Sequence, residues 1–308
     1  MKIKQSDTLT VQVMGTLFFG VMFLVSCATN PKTTPIDESG DFAALAPGAA
    51  AYFSIDVSRS RPLLELISLG GFSGKDVTEF LDKTDSAVAA AYPPESGRSF
   101  LVAARGKYPS GRIGFSFAFS SAWKKRPSPA GNSYWRSDRN GLSVFLNSRR
   151  ALVSDGDPLV PPPGVEAPTV LETLRRNALL SGWTDDGGAS INRFLALLEI
   201  PLQIPAERIL FGVYDAPGGK SGQEYEAHLR IETPSVSQAK GLLAIFSLTR
   251  IFMAGLTPED EEDPLLLASA LFTHVPTQED AALLIRTGSL KPQGIALLFN
   301  MLSLYSNQ

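Results

Sequence analysis

The sequence predicts an α+β fold in two similar halves, each running strand, helix, strand, strand, helix, strand. Three observations lead there. Short β-branched and aromatic runs alternate with segments of helical periodicity. A proline-rich break, Pro158-Leu159-Val160-Pro161-Pro162-Pro163-Gly164, divides the chain near its middle. The 308 residues also suit two domains of about 150 residues each. With 44% hydrophobic and 19% charged residues and a mean hydropathy of +0.05, the chain has material for a sizeable core and departs from the composition of disordered proteins.

The first half opens with a strand at Ala51–Val57. A helical pattern starts at Pro62-Leu63-Leu64-Glu65-Leu66-Ile67, with proline in the first turn, and Gly70-Gly71 breaks it. A second helical piece covers Lys75–Lys83. Ala87–Tyr92 and Ser99–Arg105 are strands joined by Pro93-Pro94-Glu95-Ser96-Gly97. Residues 111–125 fit both periods: Phe115, Phe117 and Phe119 alternate, whereas Ile113, Phe117 and Ala118 fit a helix. Tyr134–Asp138, Leu142–Asn147 and Ala151–Ser154 form a meander with a tight turn at Asn140-Gly141.

The second half repeats the order. Leu179–Thr184 is a strand and Ile191–Leu198 a helix. Glu207–Tyr214 and Tyr225–Thr233 are strands, Val236–Ala254 a helix, Ala282–Arg286 a strand and Gln293–Tyr305 a closing helix. Ala87–Tyr92, Phe100-Leu101-Val102 and Pro109-Ser110 line up with Ile209–Tyr214, Tyr225-Glu226-Ala227 and Pro234-Ser235. Because Val236–Ala254 is helical, the match assigns 111–125 to a helix. This order of elements matches the ferredoxin-like split unit, or plait, with antiparallel sheets covered by amphipathic helices. The expected boundaries are 1–26 leader, 27–47 tether, 48–157 first half, 158–168 linker and 169–308 second half.

The leader has Lys2 and Lys4 followed by an apolar run over Val11–Val25. That run is shorter than the ~20 residues that span a bilayer, and suits a signal-peptide core. It ends in Leu24-Val25-Ser26-Cys27, with Cys27 the only cysteine of the chain. This sequence resembles the lipobox of bacterial lipoproteins. The resemblance implies cleavage before Cys27 and acylation of its thiol. At about 0.8 kcal/mol per buried CH₂, two or three acyl chains anchor a protein durably. Thr29–Pro47, with Pro31, Pro35, Asp37-Glu38-Ser39-Gly40 and Pro47, reads as a tether between anchor and body.

No catalytic or metal motif stands. Gly219-Lys220-Ser221 lacks the glycine that a phosphate loop needs, because Tyr214 stands there. Ser121-Ala122-Trp123-Lys124 has the serine-x-x-lysine spacing, but Arg139 follows Ser137-Asp138 where asparagine is needed, and Ser237-Gln238-Ala239-Lys240 repeats the spacing by chance. His228 and His274 have no second histidine at ligand spacing, and Glu259–Asp263 lacks the spaced ligands and glycine of a calcium loop. One cysteine excludes a disulfide framework, and a net charge of −3 excludes a uniformly basic nucleic-acid binder. No cofactor is expected, and an envelope location makes nucleic-acid partners foreign to the chain.

Two features remain. Between Arg98 and Arg150 there are 11 Lys and Arg residues and one acid, Asp138; from residue 151 onward there are 10 basic and 19 acidic residues. Lys124, Lys125, Arg126, Arg149 and Arg150 are the candidate electrostatic docking residues. They face an anionic membrane, or are spread over the surface, or draw the halves together. The later helices are also more apolar than one sheet face requires. Ile191, Phe194, Leu195 and Leu198, then Leu242, Leu243, Phe246 and Phe252, then Ile295, Leu298, Phe299 and Leu302 are the candidate lipid-contact residues. Such surface is buried on two sides, lines a lipid cavity or enters a bilayer interface.

The lipobox, the two plait-like halves, these helices and the stretches Tyr134-Trp135 and Arg150-Ala151-Leu152-Val153 together resemble a treponemal outer-membrane lipoprotein. The resemblance implies a lipid-binding cavity, a closed-to-open change, and membrane perturbation or lipid handling by helices around Phe194, Phe246 and Phe299 on the periplasmic face of the outer membrane. It implies no catalytic residue. The expected function is a non-enzymatic, lipid-anchored envelope protein whose partners are membrane lipids. The alternative is a periplasmic interaction module that docks an envelope protein or an anionic polymer through its basic first half.

Overall fold

The computed structural model describes residues 42–68, 81–93, 96–129, 131–139, 141–159, 165–189, 192, 203–218, 224–253 and 269–295. Cys27, the helical patterns at 191–198 and most of 75–83, and Leu298, Phe299 and Leu302 lie outside them. The chain divides into two units between Ala167 and Pro168.

Unit 1 is an antiparallel sheet of seven strands: β1 (Ala51–Asp56), β2 (Thr84–Ala91), β3 (Phe100–Gly106), β4 (Trp123–Pro127), β5 (Ser133–Ser137), β6 (Ser143–Leu146) and β7 (Arg150–Ser154). Their spatial order is β1-β2-β3-β7-β6-β5-β4, which leaves β4 at the end of the meander. Helix α1 (Val57–Ser68) follows β1 directly. Its start is five residues earlier than Pro62. The Asp56 carboxylate accepts hydrogen bonds from the Ser58 hydroxyl at 2.7 Å and the Arg59 amide at 3.1 Å, which caps the first turn. Helix α2 (Ser110–Ala118) precedes β4. Val57 and Leu64 of α1 and Ile113 and Phe117 of α2 share one core with Phe100, Ala104, Val144 and Val153 of the sheet.

Residues 111–125 are therefore a helix only in their first part. The helix ends at Ala118 with Phe119 as its C-cap, and Trp123-Lys124-Lys125-Arg126-Pro127 is strand β4. Four of its five residues are exposed, so β4 has no alternating apolar signal to show in the sequence. The expected tether is also shorter than 27–47. The 3₁₀ turn Phe42–Ala44 buries Phe42, and Leu45 is buried after it. The Tyr92 hydroxyl accepts from the Ala46 amide at 2.9 Å and donates to the Ala46 carbonyl at 2.9 Å. The Tyr52 hydroxyl donates to the same carbonyl and accepts from the Ala49 amide, both at 3.1 Å. Burial pushes the Tyr92 hydroxyl up to about 12, so it keeps its proton at any physiological pH. Tyr92→Phe leaves the Ala46 amide without this partner, and its expected cost is about 1–3 kcal/mol. A urea midpoint that moves by less than about 0.5 kcal/mol equivalent contradicts this pinning.

Unit 2 opens with helix α3 (Thr169–Arg175) and carries β8 (Leu180–Thr184), β9 (Arg208–Asp215), β10 (Tyr225–Glu232), β11 (Thr277–Glu279) and β12 (Ala282–Arg286), with helix α4 (Val236–Met253) between β10 and β11. The order is β8-β9-β10-β12-β11, all antiparallel. Strand β10 alternates cleanly: Tyr225, Ala227, Leu229 and Ile231 are buried, while Glu226, His228, Arg230 and Glu232 face the other way. Helix α4 lies over β11 and β12, and Ala239, Leu242 and Phe246 are buried beneath it.

Neither unit has plait order. A split β-α-β unit sets the first strand between the third and fourth. Here β2 pairs directly with β1, and β9 with β8, so neighbours in sequence are neighbours in space. Order along the chain does not encode order across the sheet, because both arrangements share one string of strands and helices. The aligned segments nevertheless fall on equivalent elements. Ala87–Tyr92 and Ile209–Tyr214 lie in or beside β2 and β9, Phe100–Val102 and Tyr225–Ala227 in β3 and β10, and Pro109-Ser110 and Pro234-Ser235 lead into α2 and α4.

Candidate membrane-contact surfaces

Helix α4 carries its apolar excess on two opposite faces. Inward, Leu242 and Phe246 pack in unit 2, with the Phe246 ring 5.1 Å from Phe272. Outward, Ser237, Gly241, Ala244, Leu248 and Ile251 recur at helical spacing and are all exposed. Leu248 is 58% and Ile251 69% exposed, and Val236 at the helix start is 47% exposed. Lys240 is the one charged residue exposed on that side among the described residues of α4. A soluble helix ordinarily presents charges outward, so this stripe is unmatched to water.

The structure redistributes the candidate lipid contacts. Leu242 and Phe246 are core residues, Leu243 is half-buried and Ile295 is fully buried. Leu242, Phe246 and Ile295 are thus packed in the interior of unit 2 in this structure. Phe252 is on α4, but its side chain, with Ile191, Phe194, Leu195, Leu198, Leu298, Phe299 and Leu302, lies outside the described residues. The exposed positions are Leu248 and Ile251 instead. The period alone could have shown them: once Ala239, Leu242 and Phe246 define the inner face, residues two positions further on fall outside.

Unit 1 exposes a second apolar feature that periodicity hid. In α2, Ile113 and Phe117 point inward, and Phe117 stacks on Trp123 at 4.3 Å and Trp135 at 5.6 Å. Phe115 and Phe119, one turn apart, stack on each other at 4.4 Å on the outer side, 65% and 76% exposed. Strand β4 follows within one turn and exposes Lys124, Lys125 and Arg126. Lys124 pairs across the ladder with Arg136, and Lys125 with Trp135. Lys124 and Arg126 therefore lie on one face of the strand, and Lys125 on the face of Trp135 and α2. Arg149 is exposed in the β6–β7 turn and Arg150 half-buried at the start of β7, so neither belongs to the β4 edge.

Asp138 sits among these cations. Its carboxylate accepts from the Lys124 ammonium at 2.5 Å, and Arg126 and Arg136 add to the field. The Lys124 hydrogen bond first, then these charges, hold its pKa below the ordinary 3.8. A depressed pKa means the pair contributes above the ordinary value and is lost only as pH falls through the lowered one. Side-chain NMR titration of Asp138 is expected to give a midpoint below 3.8, rising toward 3.8 in Lys124→Gln; an ordinary midpoint in the unaltered chain refutes the pairing. Ser121 stands on a turn and Lys124 on strand β4, so the serine-x-x-lysine spacing does not lie on one helix.

Two arginines of the unit 2 sheet are paired with carboxylates. Arg208 meets Asp185 at 2.7 Å and Glu232 at 3.5 Å, and Arg230 meets Glu232 at 3.3 Å and Glu279 at 3.1 Å. His228 Nε2 lies 2.8 Å from Glu226, and its ring packs 4.5 Å from Tyr214. The Tyr214 hydroxyl donates to the Leu174 carbonyl, and burial, then the Glu226 charge, push it up to about 12. Tyr214 is thus spent on joining α3 to β9, and this cluster presents no activated nucleophile. Among the described residues no group of three metal-ligating side chains converges, and no helix is long and apolar enough to cross a membrane.

The strand orders and helices describe an α+β protein built on antiparallel sheet. The same fold occurs in the treponemal protein TP0453. Its crystal form III superposes with a TM-score of 0.60 at 17% identity, covering 84% of this chain and 97% of that one. Crystal forms IV and I give TM-scores of 0.59 and 0.58, also at 17% identity, covering 84% and 85% of this chain and 96% of the other in each case. No family model and no curated protein matches the sequence.

Proposed function

We propose that this chain is a non-enzymatic, lipid-anchored protein of a bacterial envelope that contacts membrane lipid through its amphipathic helices. The observation that carries the reading is the outer face of α4, where Leu248 and Ile251 stand exposed on a stripe without acidic residues. An apolar stripe of this kind is stable against water only when something covers it, and the acyl anchor expected at Cys27 keeps a bilayer close by. The fold shared with TP0453, a treponemal envelope-associated protein, supports the same reading, as does the lipobox at Leu24–Cys27. We read the repeated neighbour order of the two units as an internal duplication, and the periplasmic face of the outer membrane as the site of action. Membrane perturbation follows if α4 wedges into one leaflet.

A photoreactive phenylalanine analogue placed at position 248 tests this in intact cells. Lipid adducts on irradiation are the expected result. A protein adduct as the main product refutes lipid contact at α4 and favours the interaction module.

A further inference from the structure

We infer that helix α2 and edge strand β4 form a docking face for the surface of an anionic bilayer, with Phe115 and Phe119 entering the headgroup boundary and Arg112 and Lys125 meeting lipid phosphates. The inference rests on the envelope-lipid reading above and adds a second, charge-selective contact to it.

The aromatic pair needs an occupant. Phe115 and Phe119 are large rings more than half exposed, held one turn apart by a helix that is itself anchored through Ile113 and Phe117. Phenylalanine rings exposed on one face of a helix suit insertion at the apolar side of a headgroup boundary. Arg112 lies on the same face, three positions before Phe115 and seven before Phe119. The charge complements an anionic surface. Lys124, Arg126 and Arg136 act on the single carboxylate of Asp138, so the edge keeps surplus positive charge, whereas Arg208 and Arg230 of the unit 2 sheet each meet two carboxylates. Because Lys125 lies on the α2 side of β4, this cation and the exposed rings share a side of the sheet.

The edge is a poor template for a protein strand. Lys124, Lys125 and Arg126 line it and Pro127 removes a backbone donor, the devices that block strand addition. The tether also favours lipid. Cys27 lies 15 residues before Phe42, the first described residue, a span of at most about 50 Å when extended. An acylated chain therefore keeps unit 1 within reach of the bilayer, where even a weak patch is populated.

The test uses the acylated full chain, in which Cys27 carries lipid and an introduced cysteine is the one free thiol. A polarity-sensitive dye is placed at Ser116→Cys, between the two rings, or at Leu248→Cys on α4. Vesicles are phosphatidylcholine alone or phosphatidylcholine with phosphatidylglycerol. The dye at 116 is expected to brighten and shift to the blue on anionic vesicles, and not on neutral ones. Arg112→Gln with Lys125→Gln should lower the docked fraction by about fivefold per charge removed. Asp138→Asn should raise it, and Phe115→Ser with Phe119→Ser should abolish it with the circular dichroism unchanged. A dye at 116 that stays as wet on anionic as on neutral vesicles overturns the inference. If the dye at 248 still responds, the α4 reading survives that failure; if only 116 responds, the α4 reading falls and this inference stands. An equal response at 116 on both vesicle types overturns the charge selectivity, and with it the inference.

Discussion

Gly106→Ala is expected to destabilise unit 1 by about 4 kcal/mol or more, the range reserved for changes that no local adjustment absorbs. Gly106 ends β3 opposite Thr84, beside the irregular register between Thr84 and Ser86 in β2. A Cβ placed there would stand 1.8 Å from the Lys83 carbonyl oxygen and 2.8 Å from its carbon. Both are backbone atoms, and that oxygen also accepts the Lys107 amide at 2.8 Å. Relief therefore means moving β2 or β3, and with them the turn that carries Tyr108. Tyr108 is buried and shares a 2.9 Å hydrogen bond with Thr84, so the disturbance reaches the core beneath α1 and α2. Denaturant unfolding followed by the near-ultraviolet signal of Trp123 and Trp135 measures the loss. A cost below about 1 kcal/mol contradicts the close approach.

The second large effect is a contrast within one helix. Phe246→Asp is expected to unfold unit 2, whereas Leu248→Asp leaves it folded and removes vesicle binding. Phe246 is buried against Phe272, so a carboxylate there would be taken out of water beside an aromatic ring. Burying a lone charge costs several kcal/mol, a large part of the stability of a domain. Leu248 is more than half exposed, so its replacement should change stability by no more than about 0.5 kcal/mol. The two variants separate the faces that hydrophobicity alone had merged. Thermal unfolding and vesicle binding are read on both. A folded Phe246→Asp protein, or a Leu248→Asp protein that binds vesicles as before, contradicts the assignment of faces.

Much of the fold was legible because its strands are locally patterned. Leu180–Thr184, Tyr225–Glu232 and Ala282–Arg286 were visible from β-branched and aromatic runs, and Val236–Met253 from its length. The meander was visible from Asn140-Gly141, where Gly141 takes φ +72°. Three elements escaped for physical reasons. Strand β4 is held by backbone pairing to β5 and buries almost nothing outward. Strand β11, Thr277–Glu279, is three polar residues. Helix α3 has seven residues and one buried side chain, Leu171. Neighbour order was not legible at all, since antiparallel meander and plait use the same elements.

The candidate surface was legible in part. The charge surplus of residues 98–150 is a sum over sequence and survives folding, so Lys124, Lys125 and Arg126 were found. Lipid contact was placed on the largest apolar residues, and size is what draws Leu242, Phe246 and Ile295 into the core. The residues left outside are those that the inner face has no room for.

Flotation of residues 28–308, free of leader and acyl chains, on neutral and anionic vesicles at high salt tests the central claim most directly. The account predicts that the protein floats with the vesicles when salt has screened the β4 cations, because the α4 stripe is apolar. A protein that stays at the bottom of the gradient with both vesicle types at every salt concentration contradicts lipid contact and leaves the interaction module as the better description.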